Sequence, residues 1–544
     1  MSPSPDAESE QSQSSMTQSN SADNFGYKQE LRRNRGLAHM LFMTLAIIAV
    51  PYGLTAPIAT TFVNGGPVTM IWGWLLVCVL SQPMACSLAE IASKYPTSAG
   101  AYYWCFRLAS PRSRLLLSWI NGWLTMVGVW TIALSVTFGV SQFIVAGATI
   151  FHPTWVATPW QTYVIFLAFT AFVSFVCIVF NKALPTLDLL SAYWTIIGII
   201  VILISLSARA AVGRRPVSFA LGHFDPSPSG WVPGWSFFIG LLAVAYTFSA
   251  IGMIASMAEE VRNPAIQVPK AIIWSVPIST VMGLVLLLPI AFTLPDIGTL
   301  LEGNGTQPTA LMFTLIMGSE AGGFGMWFIV FGVGVFCAIS ICTAASRATW
   351  AFARDKALPF HHIFARVNND PSSYFPEIPL NAFLLSTLIQ VLLGLLYLGS
   401  SAAFNAFVGV AATCLGASYA MPVAINLMGG RTHVQGAPAY MGRWGVPLNV
   451  LAVLWTLFLI VVYSMPATLP VTRSSMSTSP SYPHRRAVRI RMGDSRAAFT
   501  DYASAVFVGF GAISGVWYMI SGRYHYSGPP MPQTEKDSTA AYDS

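Results

Sequence analysis

The sequence predicts an all-α integral membrane protein with about twelve transmembrane helices. Of its 544 residues, 54% are hydrophobic and only 9% are charged, whereas soluble domains contain about 25% charged residues. The apolar residues are gathered into runs of about 18–28 residues, and a run of about 20 is long enough to cross a bilayer. Polar segments separate these runs, so each is interpreted as one membrane span.

The predicted spans cover most of the chain between two polar tails. In chain order they are residues 37–62, 67–92, 117–148, 162–180, 186–211, 235–258, 269–294, 323–346, 378–398, 402–428, 446–466 and 502–522. Residues 1–24 are rich in serine, glutamine and aspartate, which predicts a disordered cytoplasmic tail. Residues 523–544 form the second predicted cytoplasmic tail.

The basic residues orient these spans in a membrane. The formal net charge of +7 by itself suggests a nucleic-acid partner. With a cytoplasmic N-terminus, however, 19 of the 28 lysines and arginines fall on the cytoplasmic side, as the positive-inside rule predicts. We therefore expect the lipid bilayer and no nucleic acid as a partner. We expect both termini in the cytoplasm and residence in the plasma membrane, with the vacuolar membrane as the alternative.

Two segments between spans carry separate predictions. Asn304 begins the glycosylation sequon Asn-Gly-Thr in the predicted outward loop after span 7. Residues 477–501, between the last two spans, contain five arginines and do not fit the charge pattern of an outward loop. This insert is either a lineage-specific loop or translated intron sequence, and we favour the intron.

The first span contains a proline and a glycine where a continuous helix would not tolerate them. Proline removes a backbone donor, and glycine leaves helical geometry at little cost. In lipid every freed amide or carbonyl needs another partner. The pattern therefore predicts a helix break around Pro51–Pro57 whose backbone groups bind a polar substrate. The candidate substrate-binding residues here are Pro51, Tyr52, Gly53, Leu54 and Thr55.

A second break is predicted five spans later. Inverted-repeat transporters bind substrate between two discontinuous helices in matching positions of two halves. Span 6 has no proline, but Ser249, Ala250 and Gly252 form a cluster of small residues suited to unwinding, although such residues also serve helix packing. The candidate substrate-binding residues of this break are Tyr246, Thr247, Phe248, Ser249, Ala250 and Gly252.

No acidic or basic residue lies near the centre of any predicted span. The charge of a substrate must then be met by helix N-termini, which hold carboxylates, and by aromatic faces, which hold ammonium groups. The aromatic residues predicted to face the cavity are Tyr52, Trp123, Trp130, Tyr246 and Phe248. Packing or lipid contact is the favoured alternative for the two tryptophans.

The remaining polar residues do not indicate an enzyme. The seven cysteines lie in or beside apolar runs without paired spacing, which indicates packing residues rather than disulfides or a metal site. A membrane-embedded enzyme needs buried nucleophiles, acid–base pairs or metal ligands, and the predicted midplanes supply none. We therefore expect no catalytic residue, no metal and no cofactor.

Five motifs occur in a fixed order along the chain. They are residues 25–31, 65–74, 87–100, 259–271 and 345–355, the third being the most specific. Together they resemble motifs of the amino acid–polyamine–organocation superfamily, and in particular its fungal amino acid/choline transporter branch with GABA and choline permeases. The resemblance extends from about residue 25 to residue 527 and excludes the arginine-rich insert.

The resemblance implies a transporter domain over residues 25–522, built as a five-plus-five inverted repeat with two additional helices. Repeat one covers about 37–211, repeat two about 235–428, and the extra helices about 446–466 and 502–522. It also implies proton-driven secondary active uptake of amino acids or related amines. Many relatives have an aspartate and a histidine where this chain has Gly252 and Ser256, so roles assigned to that pair cannot be carried over.

Four charged residues near span ends are candidates for gating. For Glu90, a gating or proton-linked role competes with a structural carboxylate that accepts hydrogen bonds from loop amides, and we favour the structural role. Glu259, Glu260 and Arg354 are expected to form a cytoplasmic polar network that latches one conformation rather than to contact substrate.

The leading prediction is an alternating-access transporter of amino acids, GABA or choline. The alternative is a nutrient sensor of permease ancestry that binds its ligand and barely transports it. Such sensors often carry long signalling tails, whereas the predicted tails here are short. A channel is disfavoured because no ring-forming selectivity loop is evident.

Overall fold

The computed structural model describes residues 27, 30–31, 33, 35–302, 307–367, 378–399, 401–469 and 502–530. The predicted tail at 1–24, the sequon asparagine Asn304, the insert at 477–501 and the last part of the second tail lie outside the described residues. Within the described residues, eleven helices are long and apolar enough to cross a membrane. This confirms the predicted all-α membrane fold.

The eleven spans are numbered here in chain order. Their bounds are Leu37–Thr55, Pro67–Lys94, Arg114–Phe151, Pro159–Val179, Asn181–Arg209, Pro233–Glu260, Pro264–Phe292, Glu320–Arg354, Leu380–Gly399, Gly409–Met428 and Gly442–Tyr463. The twelfth predicted span is an α-helix over Tyr502–Trp517 that ends in a π-helical turn, Tyr518–Gly522. Its apolar stretch is shorter than the other spans, and we refer to it as helix 12.

Some spans consist of more than one helix, and short helices connect others. Span 1 comprises helices Leu37–Ile48 and Val50–Thr55, span 9 comprises Leu380–Gly394 and Leu396–Gly399, and the helix of span 10 begins at Ser401. The connecting α-helices are Ile58–Val63, Ala101–Leu108, Val217–Gly222, Ile297–Glu302, Pro308–Met317, His361–Phe364 and Arg523–His525.

Local sequence signals explain where many spans begin and end. Spans 2, 4, 6 and 7 each begin at a proline, whose missing amide hydrogen is not needed in the first helical turn. Thr158 and Gln161 form a capping box before span 4. Basic residues close spans 2, 5 and 8, namely Lys94, Arg209 and Arg354, where they favourably face the negative end of the helix dipole.

The spans separate into an inner and an outer group. In spans 1, 2, 3, 6, 8 and 10, between 67% and 78% of the apolar window is buried inside the protein, whereas in the other five spans the share is 28–44%. The inner group contains both spans that were predicted to break. The outer group exposes large apolar side chains, such as Ile197 and Leu392, as expected of surfaces that face lipid.

Candidate functional site

Span 1 is interrupted at Ala49, which adopts a left-handed backbone conformation with φ 47° and ψ 52°. In a regular helix the carbonyl of Ile47 would accept a hydrogen bond from the amide of residue 51. Residue 51 is proline and has no amide hydrogen. The thiol of Cys337 in span 8 donates to the Ile47 carbonyl instead, at 3.4 Å. The interruption thus lies two residues before Pro51, and a neighbouring span satisfies the carbonyl that it frees.

The short helix after Ala49 ends at Thr55, and hydroxyl groups donate further hydrogen bonds to its carbonyls. The Thr55 hydroxyl donates to the carbonyl of Pro51 at 2.6 Å. The hydroxyl of Thr309, in helix Pro308–Met317, donates to the carbonyl of Thr55 at 2.6 Å. Leu54 is buried among apolar side chains. Five consecutive candidate residues of this break are therefore enclosed by the bundle.

Span 6 also breaks, which confirms the predicted pair of discontinuous helices. It is α-helical to Tyr246, turns through residues 247–250 and continues as a 3₁₀-helix over Ile251–Glu260. In the turn, amides bond carbonyls three residues earlier, as between Phe248 and Ala245 at 3.1 Å. Stretches of 3₁₀-helix longer than three or four residues are uncommon, and within a helix they often mark a hinge.

The two breaks touch each other. A Cβ atom added to Gly53 would lie 2.9 Å from the hydroxyl oxygen of Thr247 and 3.1 Å from its methyl carbon, so glycine permits this approach. The Thr247 hydroxyl is buried and has no hydrogen-bond partner in the described part of the chain. Burying an unpaired hydroxyl is costly, so Thr247 is a polar group of the breaks that the described fold leaves unsatisfied.

Span 3 holds the tyrosine of each break. The Tyr52 hydroxyl donates to the carbonyl of Val136 at 3.3 Å. The Tyr246 hydroxyl shares a hydrogen bond with the hydroxyl of Ser135, the preceding residue of span 3. The ring of Tyr52 packs edge-on against Phe143, with 5.6 Å between centroids. A shift of span 3 would therefore strain hydrogen bonds to both breaks.

A cavity of about 60 Å³ lies beside the break of span 6. Phe248 and Ser249 line it from the break, and Tyr419, Trp455 and Tyr463 line it from spans 10 and 11. No charged side chain is among the described residues that line it. Since one water needs about 10–15 Å³ by this kind of measure, the cavity accommodates a few waters or one small group of a ligand.

An aromatic ring occupies the space beside Gly252. A Cβ atom at Gly252 would lie 2.6 Å from ring atoms of Tyr419 in span 10. Ser256 donates to its own span at Met253 and to the carbonyl of Ala344 in span 8, at 2.8 and 3.2 Å. Ala250, before the 3₁₀-helix, is buried. The positions at which the resemblance implies an aspartate and a histidine are thus occupied by a glycine packed against the Tyr419 ring and by a serine whose hydroxyl is directed to span 8.

Trp123 and Trp130 are placed differently from the other candidates. They line a second cavity, of about 420 Å³, together with residues of span 9 and helix 12. The Trp130 indole donates to the hydroxyl of Thr349 in span 8 at 3.0 Å. Neither tryptophan is among the residues that line the cavity beside the span 6 break. Trp123 and Trp130 therefore lie at the second cavity, whereas Phe248 and Ser249 line the cavity beside the span 6 break.

A buried network of four charges connects the ends of spans 5, 6 and 8 with the segment before span 1. Glu260 accepts hydrogen bonds from Arg35 and Arg347, each at 3.0 Å. Arg35 also contacts Asp188 at 2.6 Å. All four side chains are buried. Such a network is compatible with burial because each charge has an opposite partner.

Backbone hydrogen bonds reinforce this connection. The amide of Arg35 donates to the carbonyl of Glu260 at 3.0 Å, and the amide of Arg262 donates to the carbonyl of Arg35 at 2.9 Å. Arg35 and Val261 thereby form a short parallel β-bridge. The segment that enters span 1 is therefore bound directly to the end of the 3₁₀-helix.

Glu259 forms a second cluster next to this network. Arg354 lies 2.8 Å from its carboxylate, and the hydroxyl of Ser98 donates to it. The guanidinium of Arg354 also lies over the ring of Tyr27, 4.1 Å from its centroid. The following residue, Asp355, accepts hydrogen bonds from Tyr27 and Tyr102, both at 2.8 Å. Burial raises the pKa of Asp355 to about 6.

Glu90 belongs to neither of these clusters. Its carboxylate accepts a hydrogen bond from Arg431 and one from the amide of Met441 at 3.0 Å. Arg431 in turn donates to the carbonyl of Gly442 at 2.6 Å. Glu90 is fully buried, and these contacts tie the end of span 2 to the segment between spans 10 and 11.

Several residues of these clusters were absent from the predicted site. They are Arg35, Asp188, Arg347, Asp355 and Arg431. Each lies at or near the end of an apolar run, which is a signal that a charge is held near the membrane boundary. No local sequence pattern indicates which distant segment supplies the partner of each charge.

Known permeases and transporters are similar to this chain over most of its length. A family model described as amino acid permease matches residues 37–482. The amino-acid permease BAT1 homolog of Oryza sativa subsp. japonica is 32% identical over 470 residues, covering 84% of this chain and 89% of the relative. The polyamine transporter TPO5 of Saccharomyces cerevisiae is 30% identical and covers 84% and 74%. The choline transporter of the same yeast is 27% identical and covers 89% and 82%.

The family match covers well over half of the chain, and the rice permease and the yeast polyamine transporter, 32% and 30% identical, align with most of it. The relatives are transporters rather than enzymes, in agreement with the expectation from the midplane residues. The chain therefore belongs to the amino acid permease family of the amino acid–polyamine–organocation superfamily and is a multi-pass integral membrane permease.

Proposed function

We propose that this permease is a secondary active transporter that imports amino acids or related amines by alternating access. The observation that carries the proposal is the contact between the two interrupted helices at Gly53 and Thr247. Discontinuous helices at matching positions of two repeats form the substrate site of inverted-repeat transporters. We extend the proposal to repeats over residues 37–211 and 235–428.

The substrate is proposed to bind between the breaks without a charged side chain of the protein. The unpaired hydroxyl of Thr247 supports binding of a carboxylate or another polar group. The aromatic faces of Phe248 and Tyr419 beside the break support binding of an ammonium group. With the ring of Tyr419 next to Gly252, an amine meets a phenol where many relatives offer a carboxylate. The candidate classes are therefore amino acids, GABA and choline-like amines.

The charge networks are proposed to lie at the cytoplasmic end and to close it in this conformation. The basic residues at this end, among them Arg35, Arg347 and Arg354, support this orientation by the positive-inside rule. Opening toward the cytoplasm then requires the contacts of Glu259 and Glu260 to separate. The same orientation places both termini in the cytoplasm, and we favour the plasma membrane. Proton coupling is proposed from the resemblance to the fungal branch.

Uptake by cells tests this proposal. The full chain is expressed in yeast that lacks its own amino acid, GABA and choline permeases, and labelled substrates from each class are offered. We expect one class to accumulate above the external concentration and a protonophore to abolish the accumulation. Competition by unlabelled compounds then ranks the substrates. Absence of uptake across the panel, with folded protein at the surface, would overturn transport, and saturable binding without uptake would identify a sensor.

A further inference from the structure

The cavity beside the span 6 break carries hydroxyl groups from four spans. Five of the described residues that line it bear a hydroxyl, namely Ser81, Ser249, Tyr419, Thr456 and Tyr463. Thr456 donates to the carbonyl of Ala452 in its own helix at 2.9 Å. Tyr463 donates to the carbonyl of Leu242 in span 6 at 3.3 Å, and its hydroxyl also interacts with that of Ser249. Three of the five hydroxyls therefore have a partner within the protein.

The hydroxyls of Ser81 and Tyr419 differ from these three. Neither has a hydrogen-bond partner in the described part of the chain, and each oxygen retains accessible surface. The two residues are only 8% and 5% exposed and both line the cavity, so this surface faces the cavity. Gly252 leaves room for the phenol ring, because a Cβ atom there would lie 2.6 Å from it. The cavity therefore presents two hydroxyls that the fold itself does not use.

The other lining residues indicate the charge of the group that these hydroxyls bind. Four aromatic side chains line the cavity, namely Phe248, Tyr419, Trp455 and Tyr463, and no lysine or arginine does so among the described residues. Aromatic faces attract cations, whereas a carboxylate would be buried there without a compensating charge. Since one water needs about 10–15 Å³, the volume of about 60 Å³ admits an ammonium group with its adjoining carbons. The lining therefore favours an ammonium group.

The hydrogen-bond donors of the ammonium then determine which amines fit. A primary ammonium has three N–H donors, two of which pair with the oxygens of Ser81 and Tyr419. A quaternary ammonium has no N–H donor and would cover both hydroxyls without pairing them. Buried hydroxyls that lose access to a partner are costly, and the cost falls only on the quaternary amine.

We propose that Ser81 and Tyr419 are specificity-determining residues that bind the primary ammonium group of the substrate and select amino acids and GABA against choline. The inference rests on the proposed transport function and narrows its substrate class. Phe248, which lines the cavity, directly follows Thr247 of the break. A substrate whose ammonium group lies in the cavity can therefore extend its other polar end toward the contact between the two breaks.

Pairs of amines that differ only in N-methylation test this selection. Binding of labelled GABA and γ-butyrobetaine, and of labelled ethanolamine and choline, to the purified full chain is measured by scintillation proximity. We expect saturable binding of a primary amine and binding of its trimethylated counterpart at least about tenfold weaker, because two hydrogen bonds are lost. Equal or tighter binding of the trimethylated compounds, or no binding of either kind, would overturn the selection.

Matched variants assign the preference to the two hydroxyls. Tyr419→Phe keeps the ring beside Gly252 and removes only the hydroxyl, and Ser81→Ala does the same in span 2. Each should weaken binding of the primary amine roughly tenfold and that of the trimethylated compound less than about twofold. Tyr163→Phe is the control, because Tyr163 is buried outside this cavity and donates to the carbonyl of Val391 at 3.1 Å. Its amine preference should match the wild type.

Two outcomes separate this inference from the proposed function. If Tyr419→Phe and Ser81→Ala both keep the wild-type preference for primary amines, the two hydroxyls do not select the substrate, whether or not the chain transports it. If the chain binds primary amines with the expected preference but cells that express it show no uptake, transport is refuted and the selection by Ser81 and Tyr419 stands.

Discussion

At the scale of single residues, Gly53 permits the contact between the two breaks because it has no side chain. Its missing side chain leaves room for Thr247, so that a residue of span 1 and a residue of span 6 come into contact. The residue was predicted from its type and from nearby prolines, but its partner lies 194 positions further along the chain. Local sequence indicates where a helix breaks, and only the packed structure reveals what the break contacts.

Replacing Gly53 by leucine should abolish uptake while the protein still reaches the surface. The added side chain would collide with Thr247, whose atoms lie within 3.1 Å of the first added carbon, and would separate the two breaks. The measurement is initial uptake normalised to surface protein. Gly325→Leu is the matched control, because a Cβ there meets no atom within 4 Å. Normal uptake by Gly53→Leu would remove this contact from the transport mechanism.

Asp355 should make stability depend on pH. Because burial raises its pKa to about 6, the folded state favours the protonated form more than the unfolded chain does. The stability that this provides is present at low pH and is lost as pH rises through about 6. Asp355→Asn does not titrate, so its melting temperature relative to the wild type should be higher at pH 7.5 than at pH 5. Thermal unfolding in detergent measures this difference, and an equal difference at both pH values would contradict it.

At the scale of elements, the spans were predictable and their contacts were not. Runs of sufficient length located the helices because lipid demands them, and proline accounts for the interruption before Pro51. The 3₁₀-helix after Ala250 has no proline, and small residues alone do not distinguish unwinding from packing. Trp123 and Trp130 illustrate another limit, since residue type predicts burial in a membrane but not which of two cavities a side chain lines.

The 3₁₀-helix of span 6 should depend on its last residue, Glu260. Glu260→Gln leaves Arg35 and Arg347 without their shared carboxylate, and an uncompensated buried charge costs about 3–5 kcal/mol. We expect uptake to fall at least about tenfold. Glu260→Gln should also label faster with maleimide at Cys177, because the cytoplasmic end of the bundle opens more often. Cys177 contacts Thr343, one turn before Arg347.

Glu320→Gln provides the control for the Glu260 variant. Glu320 is also a glutamate at the end of a span, but it is exposed in the first turn of span 8. Uptake and Cys177 labelling should match the wild type. If both variants behave alike, the network of Glu260 does not act as a gate.

At the scale of the whole molecule, the buried charges among the described residues lie near the ends of the spans and have opposite or hydrogen-bonding partners there. Glu90 and Arg431 connect span 2 with the segment after span 10. Removing one partner leaves a buried charge unpaired, whereas removing both does not. Glu90→Gln should therefore lower the melting temperature more than the double variant Glu90→Gln/Arg431→Met. Thermal unfolding of the purified variants checks this order, and additive losses would refute it.

The network of Arg35, Asp188, Glu260 and Arg347 is electroneutral, with two cations and two anions. Its contacts form a chain in the order Asp188, Arg35, Glu260 and Arg347. Breaking the contact between Arg35 and Glu260 alone leaves two neutral ion pairs, so no buried charge loses its last partner. The entry segment of span 1 and span 5 can therefore move away from the ends of spans 6 and 8 without exposing an unpaired ion to the membrane interior.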